Sequence, residues 1–215
     1  MRITSWRQHA IVLAAFVGLA MIQVWPLPMK MGTHLTGSPG GDTGGYVWNL
    51  WIFSHEIVTT GTTPLSTLAI LPLTGAPADL SLHNYTVFSD VLAMPLLHWL
   101  GVVATFNVVY LFNAALAGFG LYLLARRLTG RGPESFLAGL MFAWSPFMVT
   151  RGLGHFSLAA AAPLPFFMLA LYRAWDSQRL RDAGVAGAVV AWAAFSDPYY
   201  AVYGVMLGAC FLGSR

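Results

Sequence analysis

Residues 105–125 read TFNVVYLFNAALAGFGLYLLA, without one charged side chain, and end at Arg126 and Arg127. A run of that length and character fits the hydrocarbon core of a bilayer, which takes about 20 apolar residues as a helix. Shorter apolar runs recur at 9–27, 135–150, 157–174, 183–197 and 199–213. Over the whole chain 57% of residues are hydrophobic and 9% are charged, against about 25% charged in a soluble domain. So few charges cannot clothe a water-facing surface. The reading is an all-α integral membrane domain of about six transmembrane helices. Residues 9–27 follow Arg2 and Arg7 as a secretory leader would. The following QVWPLPMK has no small-x-small cleavage pattern, so the stretch reads as a retained anchor.

Residues 28–104 are of another kind, rich in Gly, Pro, Thr and His. They contain two weakly amphipathic segments. In the first, 46–60, Asn49, Glu56 and Thr60 fall on one helical face, expected to be wet. Tyr46, Trp48, Trp51, Ile52, Phe53 and Ile57 occupy much of the remainder, as suits a helix in the membrane interface. The second, 85–101, contains Asp90, Pro95 and His98 and either spans or lies on the membrane. Basic residues choose between these. If 85–101 does not span and the N-terminus is cytoplasmic, nine of the eleven Lys and Arg fall inside and only Lys30 and Arg151 outside. If it spans, the division becomes three against eight. The positive-inside rule favours the first. One helix, a large extracytoplasmic loop over 28–104 with interfacial helices, and five more helices follow from it.

Charge and motifs narrow the functions. A net charge of +3 without a basic stripe gives no footprint for nucleic acid. Cys210 is the single cysteine, so no internal disulfide can form. HExxH, CxxC, Walker and GxSxG patterns are absent, and His34, His55 and His98 lack metal-ligand spacing. What remains is a set of polar groups that the topology gathers at the outer face. Asp42 stands among Gly40, Gly41, Gly44 and Gly45, which let the backbone turn sharply and approach a ligand. Its carboxylate suits a general base or a divalent-cation ligand; the alternative is a cap on the helix that follows. His155, with Arg151 four residues before it, suits an anionic headgroup or phosphate; the alternative is a pair that snorkels to water. His83 and Asn84 offer donors to a sugar or phosphate, or form a polar loop. Asp197 and Tyr199 mark the outer turn between the last two helices, with Asp197 expected at the exposed interface, or simply a turn in an aromatic belt.

GDTGGYVWNLWIFSHEI, FNVVYLFNAALAGFGLYLLARRLTGR and AGLMFAWSPFMVTRGLGHFSLAAAAPLPFFMLAL together resemble the N-terminal part of the polytopic GT-C glycosyltransferases. That class includes the dolichyl-phosphate-mannose protein mannosyltransferases and the bacterial aminoarabinose transferases. The resemblance implies a membrane enzyme that transfers a sugar from a polyprenyl-phosphate-linked donor to an acceptor at the extracytoplasmic face of a bacterial inner membrane. It also implies that the chain is the front part of a longer protein. By that likeness Asp42 matches the first-loop acid that activates the acceptor, often beside Mg or Mn, with His155 where better-known members carry a second acid. A transporter or flippase of lipid-linked cargo is a different reading, disfavoured by spanning segments with few polar residues besides Asn113. A non-catalytic membrane scaffold would tolerate changes at all of these positions.

Overall fold

The structure, a computed structural model, describes residues 6–37, 40–70 and 75–214; Arg2 and Arg215, both counted among the cytoplasmic basic residues, lie outside them. It is all-α apart from a two-residue antiparallel pair, β1 Ser66–Thr67 and β2 Ala78–Asp79. Helix α1 covers Trp6–Gln23. The loop region holds α2, Thr43–Ser54, which runs into a π-helical turn at His55–Thr60. Then come α3 Val87–Thr129, α4 Gly132–Ala143, α5 Pro146–Gly152, α6 Phe156–Ala159, α7 Pro163–Ser177, α8 Leu180–Ser196 and α9 Pro198–Gly213.

Helix α3 is the spine, packed against α1, α2, α4, α7 and α8. It is two arms rather than one rod. Gly101 sits at φ 72°, ψ 167°, a conformation open essentially only to glycine. The arms therefore coincide with the two segments read at 85–101 and 105–125. The first arm buries Ser89, Asp90 and Ala93 and leaves Val91, Leu92 and Trp99 outward. The second arm crosses α4 where Gly118 meets Gly139: a Cβ on Gly139 would strike the Gly118 carbonyl oxygen, and one on Gly118 would lie 2.6 Å from the Phe16 ring. Small residues allow this close backbone approach. Phe16 of α1 fills the crossing with no exposed surface and rests on Phe136 and Trp144.

Among the described residues two stretches are long and apolar enough to cross a membrane, Val87–Thr129 and Phe156–Ser177; Pro198–Gly213 is apolar but shorter. The expected span 135–150 is in fact two helices. Ser145 ends the first and caps the second, its Oγ accepting the Met148 N–H at 3.3 Å, with Pro146 at the first helical position. The span expected at 157–174 is also interrupted. Ala160, Ala161 and Ala162 lie between α6 and α7, and all three are buried, which is where non-helical backbone is tolerated among apolar helices.

The wet face expected for 46–60 is corrected too. Asn49 and Glu56 are buried with Tyr46, Leu50, Ile52 and Phe53, while Trp51 and Ile57 face outward. From His55 the helix widens into the π turn, and Thr60 at its end is exposed. Glu56, seven residues after Asn49 and so on the same helical face, points inward with it, where Thr67 donates to Oε1 at 2.5 Å and Thr60 and Thr62 each donate to Oε2 at 2.8 Å.

Charged helix ends gather at one end of the bundle. Arg127, near the end of α3, pairs with Asp176, near the end of α7, and Arg173 Nε lies 2.9 Å from Asp182 Oδ1 at the start of α8. Helix α3 therefore carries the loop at one end and this basic cluster at the other.

Candidate functional site

The site begins with the first turn of α2. The Tyr46 N–H donates to the Asp42 carbonyl at 3.1 Å, but the Asp42 side chain makes no capping bond. The carboxylate is thus left for another partner, which is His155: Oδ2 lies 3.2 Å from Nδ1. The Asp42 side chain is 70% exposed and that of His155 34%. His155 enters α6 with its backbone N–H on the Arg151 carbonyl at 2.7 Å, and its ring stands edge-on to Tyr46 with centroids 5.9 Å apart.

Asp42, Tyr46 and Asn49 follow one another at helical spacing along α2 and share a face. The last two set the floor of the site. The Asn84 amide donates to the Tyr46 hydroxyl at 3.0 Å, and that hydroxyl lies 3.0 Å from Ser157 Oγ. With its proton directed to Ser157, the phenol accepts from one side and donates to the other. The Asn49 amide donates to the Asn84 carbonyl at 2.9 Å, which turns Asn49 Oδ1 toward His83 Nε2 at 2.5 Å. His83 Nε2 therefore carries the proton in this bond. Burial holds the His83 imidazole below its ordinary pKa and pushes the Tyr46 phenol above its own, so both are neutral near pH 7. A cavity of about 190 Å³ is lined by Asp42, Gly45, Tyr46, Asn49, His83, Asn84 and His155.

Four residues singled out in the sequence, Asp42, His83, Asn84 and His155, are thus brought together from three separate pieces of chain. Tyr46, Asn49 and Ser157 were not singled out. Their signal was available in the spacing 42, 46, 49 and in the proximity of Ser157 to His155. Arg151 is exposed in the last turn of α5 with its guanidinium 5.7 Å from the Phe147 ring centroid, and it does not line the cavity. Asp197, expected at the exposed interface, is only 3% exposed. Its Oδ1 accepts the Tyr199 N–H at 2.8 Å and caps α9, because α8 ends directly against Pro198 and the freed backbone donor needs a partner. The Tyr199 ring is exposed and outside the cavity, whereas its neighbour Tyr200 is buried and donates to the Leu158 carbonyl. The glycines act differently from expectation. Gly44 and Gly45 lie within the first turn of α2, and a Cβ on either, or on Gly40, would meet nothing within 4 Å. They keep the approach to Asp42 open.

A divalent cation at Asp42 and His155 would require both to turn from each other, since Nδ1 and Oδ2 face one another as hydrogen-bond partners. Mg²⁺ takes an octahedron of oxygens, and the imidazole is a poor match. Among the described residues no three His, Cys, Asp or Glu side chains group closely enough to hold a metal. The side chains present do not by themselves fit such an ion.

No curated protein and no solved structure matches the chain. Residues 90–215, more than half of it, match the model of a family described as a domain of unknown function, DUF6311. The matched region takes in His155 but begins after Asp42, so it holds one side of the cavity.

Proposed function

The chain belongs to the DUF6311 family, and we propose that it is a membrane glycosyltransferase of GT-C type, or the N-terminal module of one. The reaction is transfer of a sugar from a polyprenyl-phosphate donor to an acceptor hydroxyl at the extracytoplasmic face. One observation carries this reading: an exposed carboxylate, not engaged in capping, meets an imidazole in an open cavity whose remaining polar groups are fixed by a hydrogen-bond network.

In this reading Asp42 holds the Nδ1–H of His155, which leaves the Nε2 lone pair as proton acceptor, with the carboxylate stabilising the imidazolium that forms. The acceptor oxygen attacks the anomeric carbon as its proton passes to Nε2. The bond from that carbon to the phosphate oxygen breaks, and the electron pair leaves with the lipid phosphate. His83 and Asn84 position hydroxyls of the sugar or acceptor. Arg151, four residues before His155, lies outside the cavity on the Phe147 ring and has to swing toward His155 to offer positive charge to the departing phosphate. No step is routed through a metal ion.

The reading also takes the six-span topology, with the N-terminus in the cytoplasm of a bacterial inner membrane. Its support is the separation of Asp42 and His155 from the Arg127 and Arg173 ion pairs at opposite ends of α3. In a Cys210→Ser background, Gly40→Cys should react with an impermeant maleimide in intact cells and Leu128→Cys should not. The reverse pattern would remove the outer site. For the chemistry, cells carrying Asp42→Asn in place of the native chain should lose one class of surface glycan at unchanged protein level. Unaltered glycans in an Asp42→Asn, His155→Gln double variant would leave the scaffold reading.

A further inference from the structure

A second cavity, of about 450 Å³, opens in the loop beside the π turn. It is distinct from the Asp42 site. Its lining includes His55, Glu56, Thr60, Thr62, Thr67 and Pro77. Glu56 lies fourteen residues after Asp42 in a largely continuous helix, which places the two about 20 Å apart along the axis. The volume is within the roughly 300–1,000 Å³ of small-molecule sites.

Proton accounting defines what it can bind. Each threonine hydroxyl has one proton and two lone pairs. Thr67 donates to Glu56 Oε1, Thr62 lies 2.8 Å from Oε2, and Thr60 lies 2.6 Å from the Glu56 carbonyl oxygen and 2.8 Å from Oε2. Thr60 and Thr62 are also 2.7 Å apart. All three protons are therefore absorbed within the cluster. Hydrogen bonds from Thr67, Thr60 and Thr62 hold Glu56 below the usual carboxyl range, so it is ionised near pH 7. What the three threonines present toward the cavity is lone pairs, one of which on Thr67 takes the Ala69 N–H at 3.0 Å, and the Ser66 hydroxyl and the His55 ring complete the polar lining. A phosphate or carboxylate meets the negative charge of Glu56 behind the threonine lone pairs and is disfavoured. A ligand must bring its own hydrogen-bond donors.

Apolar parts of the wall refine this. The His55 ring lines the cavity, and Trp51 stacks behind it with centroids 5.1 Å apart and planes 15° from parallel. Leu68, Ala69 and Pro77 add aliphatic surface. Hydroxyl acceptors beside a flat ring and aliphatic carbon suit a molecule with O–H groups on its rim and C–H groups on its face. We propose that this cavity is a binding site for a neutral carbohydrate, seated with its hydroxyls on the Glu56–threonine cluster and a ring face against His55. The site does not depend on the transfer reaction, and its test is a binding measurement.

Purified chain in lipid nanodiscs is titrated with maltose, cellobiose and chitobiose at millimolar concentration, followed by saturation-transfer NMR and tryptophan fluorescence. At least one saccharide should bind. Thr62→Val should weaken it about tenfold, equivalent to 1.4 kcal/mol, and Thr62→Ser should restore it. Asp42→Asn should bind as the native chain does, which separates this site from the transfer site. Binding by none of the three, stronger binding of spermidine than of any saccharide, or loss in Asp42→Asn with retention in Thr62→Val would each overturn the assignment. Trp51→Phe, which leaves the threonine cluster intact, serves as a second variant should Thr62→Val fail to fold; it should keep binding while abolishing the fluorescence response.

Discussion

Asp42 and His155 stand 113 positions apart in the chain and meet at 3.2 Å through Oδ2 and Nδ1. The contact joins the start of α2 in the loop to the entry of α6 in the bundle. It adds a polar tie to the apolar packing of Tyr46 and Leu50 against Phe106, Tyr110 and Phe156.

Because the two act as a couple in the proposed transfer, their losses should not add. Asp42→Asn and His155→Gln are each expected to lower transfer roughly 100-fold, and the double variant should be no worse than the poorer single one. Radiolabelled sugar transfer in washed membranes measures this. Additive losses would show two independent roles instead.

Tyr46 is the joint of the cavity floor. Tyr46→Phe removes a hydroxyl that serves both Asn84 and Ser157 and leaves two polar groups short of a partner. The expected cost is about 1–3 kcal/mol, read as a lowered unfolding midpoint in detergent. Ser157→Ala alone should cost less, since Tyr46 keeps its bond from Asn84. Equal stability of Tyr46→Phe and the native chain would mean that water replaces the hydroxyl without loss.

Much of this arrangement is legible along the chain, and the exceptions have causes. Residues 105–125 announce themselves by a long run without charge, and Gly101 is the last residue of the segment read at 85–101, at the break before it. Ser145–Pro146 is a good helix start, but apolar residues on both sides disguised it within one supposed span. Asp42, His83, Asn84 and His155 converge because the hydrogen bonds of Tyr46 and Asn49 hold their three pieces of chain together. Arg151, Asp197 and Tyr199 have the same composition signal without the same geometry. Glu56 is read on the right face, with Asn49, but assigned to water, because spacing along one helix does not reveal that Thr60, Thr62 and Thr67 fold over that face.

Gly101 isolates backbone strain from packing. A Cβ there would meet nothing within 4 Å, yet φ is +72°. Gly101→Ala should therefore destabilise the protein by about 1–3 kcal/mol through conformation alone, with the Asp42 site perturbed only so far as the first arm of α3 shifts. Thermal melts compared with Gly18→Ala, a helical glycine that is also uncrowded, give the control. A smaller effect at Gly101 than at Gly18 would argue against the strained hinge.

The Glu56 cluster has a pH signature. Its folded pKa lies below its ordinary value of 4.5, with Thr67 the largest cause, followed by Thr60 and Thr62. The stabilisation is therefore complete above pH 4.5 and is lost as pH falls below that value through the folded one. Hydrogen exchange of residues 55–67 should accelerate over that acid interval while the amides of α3 near Ala115 stay protected. In Glu56→Gln the acceleration should vanish from the pH profile, with exchange already faster at neutral pH.

The ring of Phe16, enclosed where α1, α3 and α4 cross, gives the first helix a status beyond that of a tether. Removing α1 by proteolysis would leave a hollow the size of a benzyl group against two glycines that have no side chains to collapse into it. Such a loss is on the order of 3–5 kcal/mol when a buried phenylalanine is truncated to alanine. A chain lacking the residues up to Gln23 would carry an unfilled seam along α3 where Phe16 had stood.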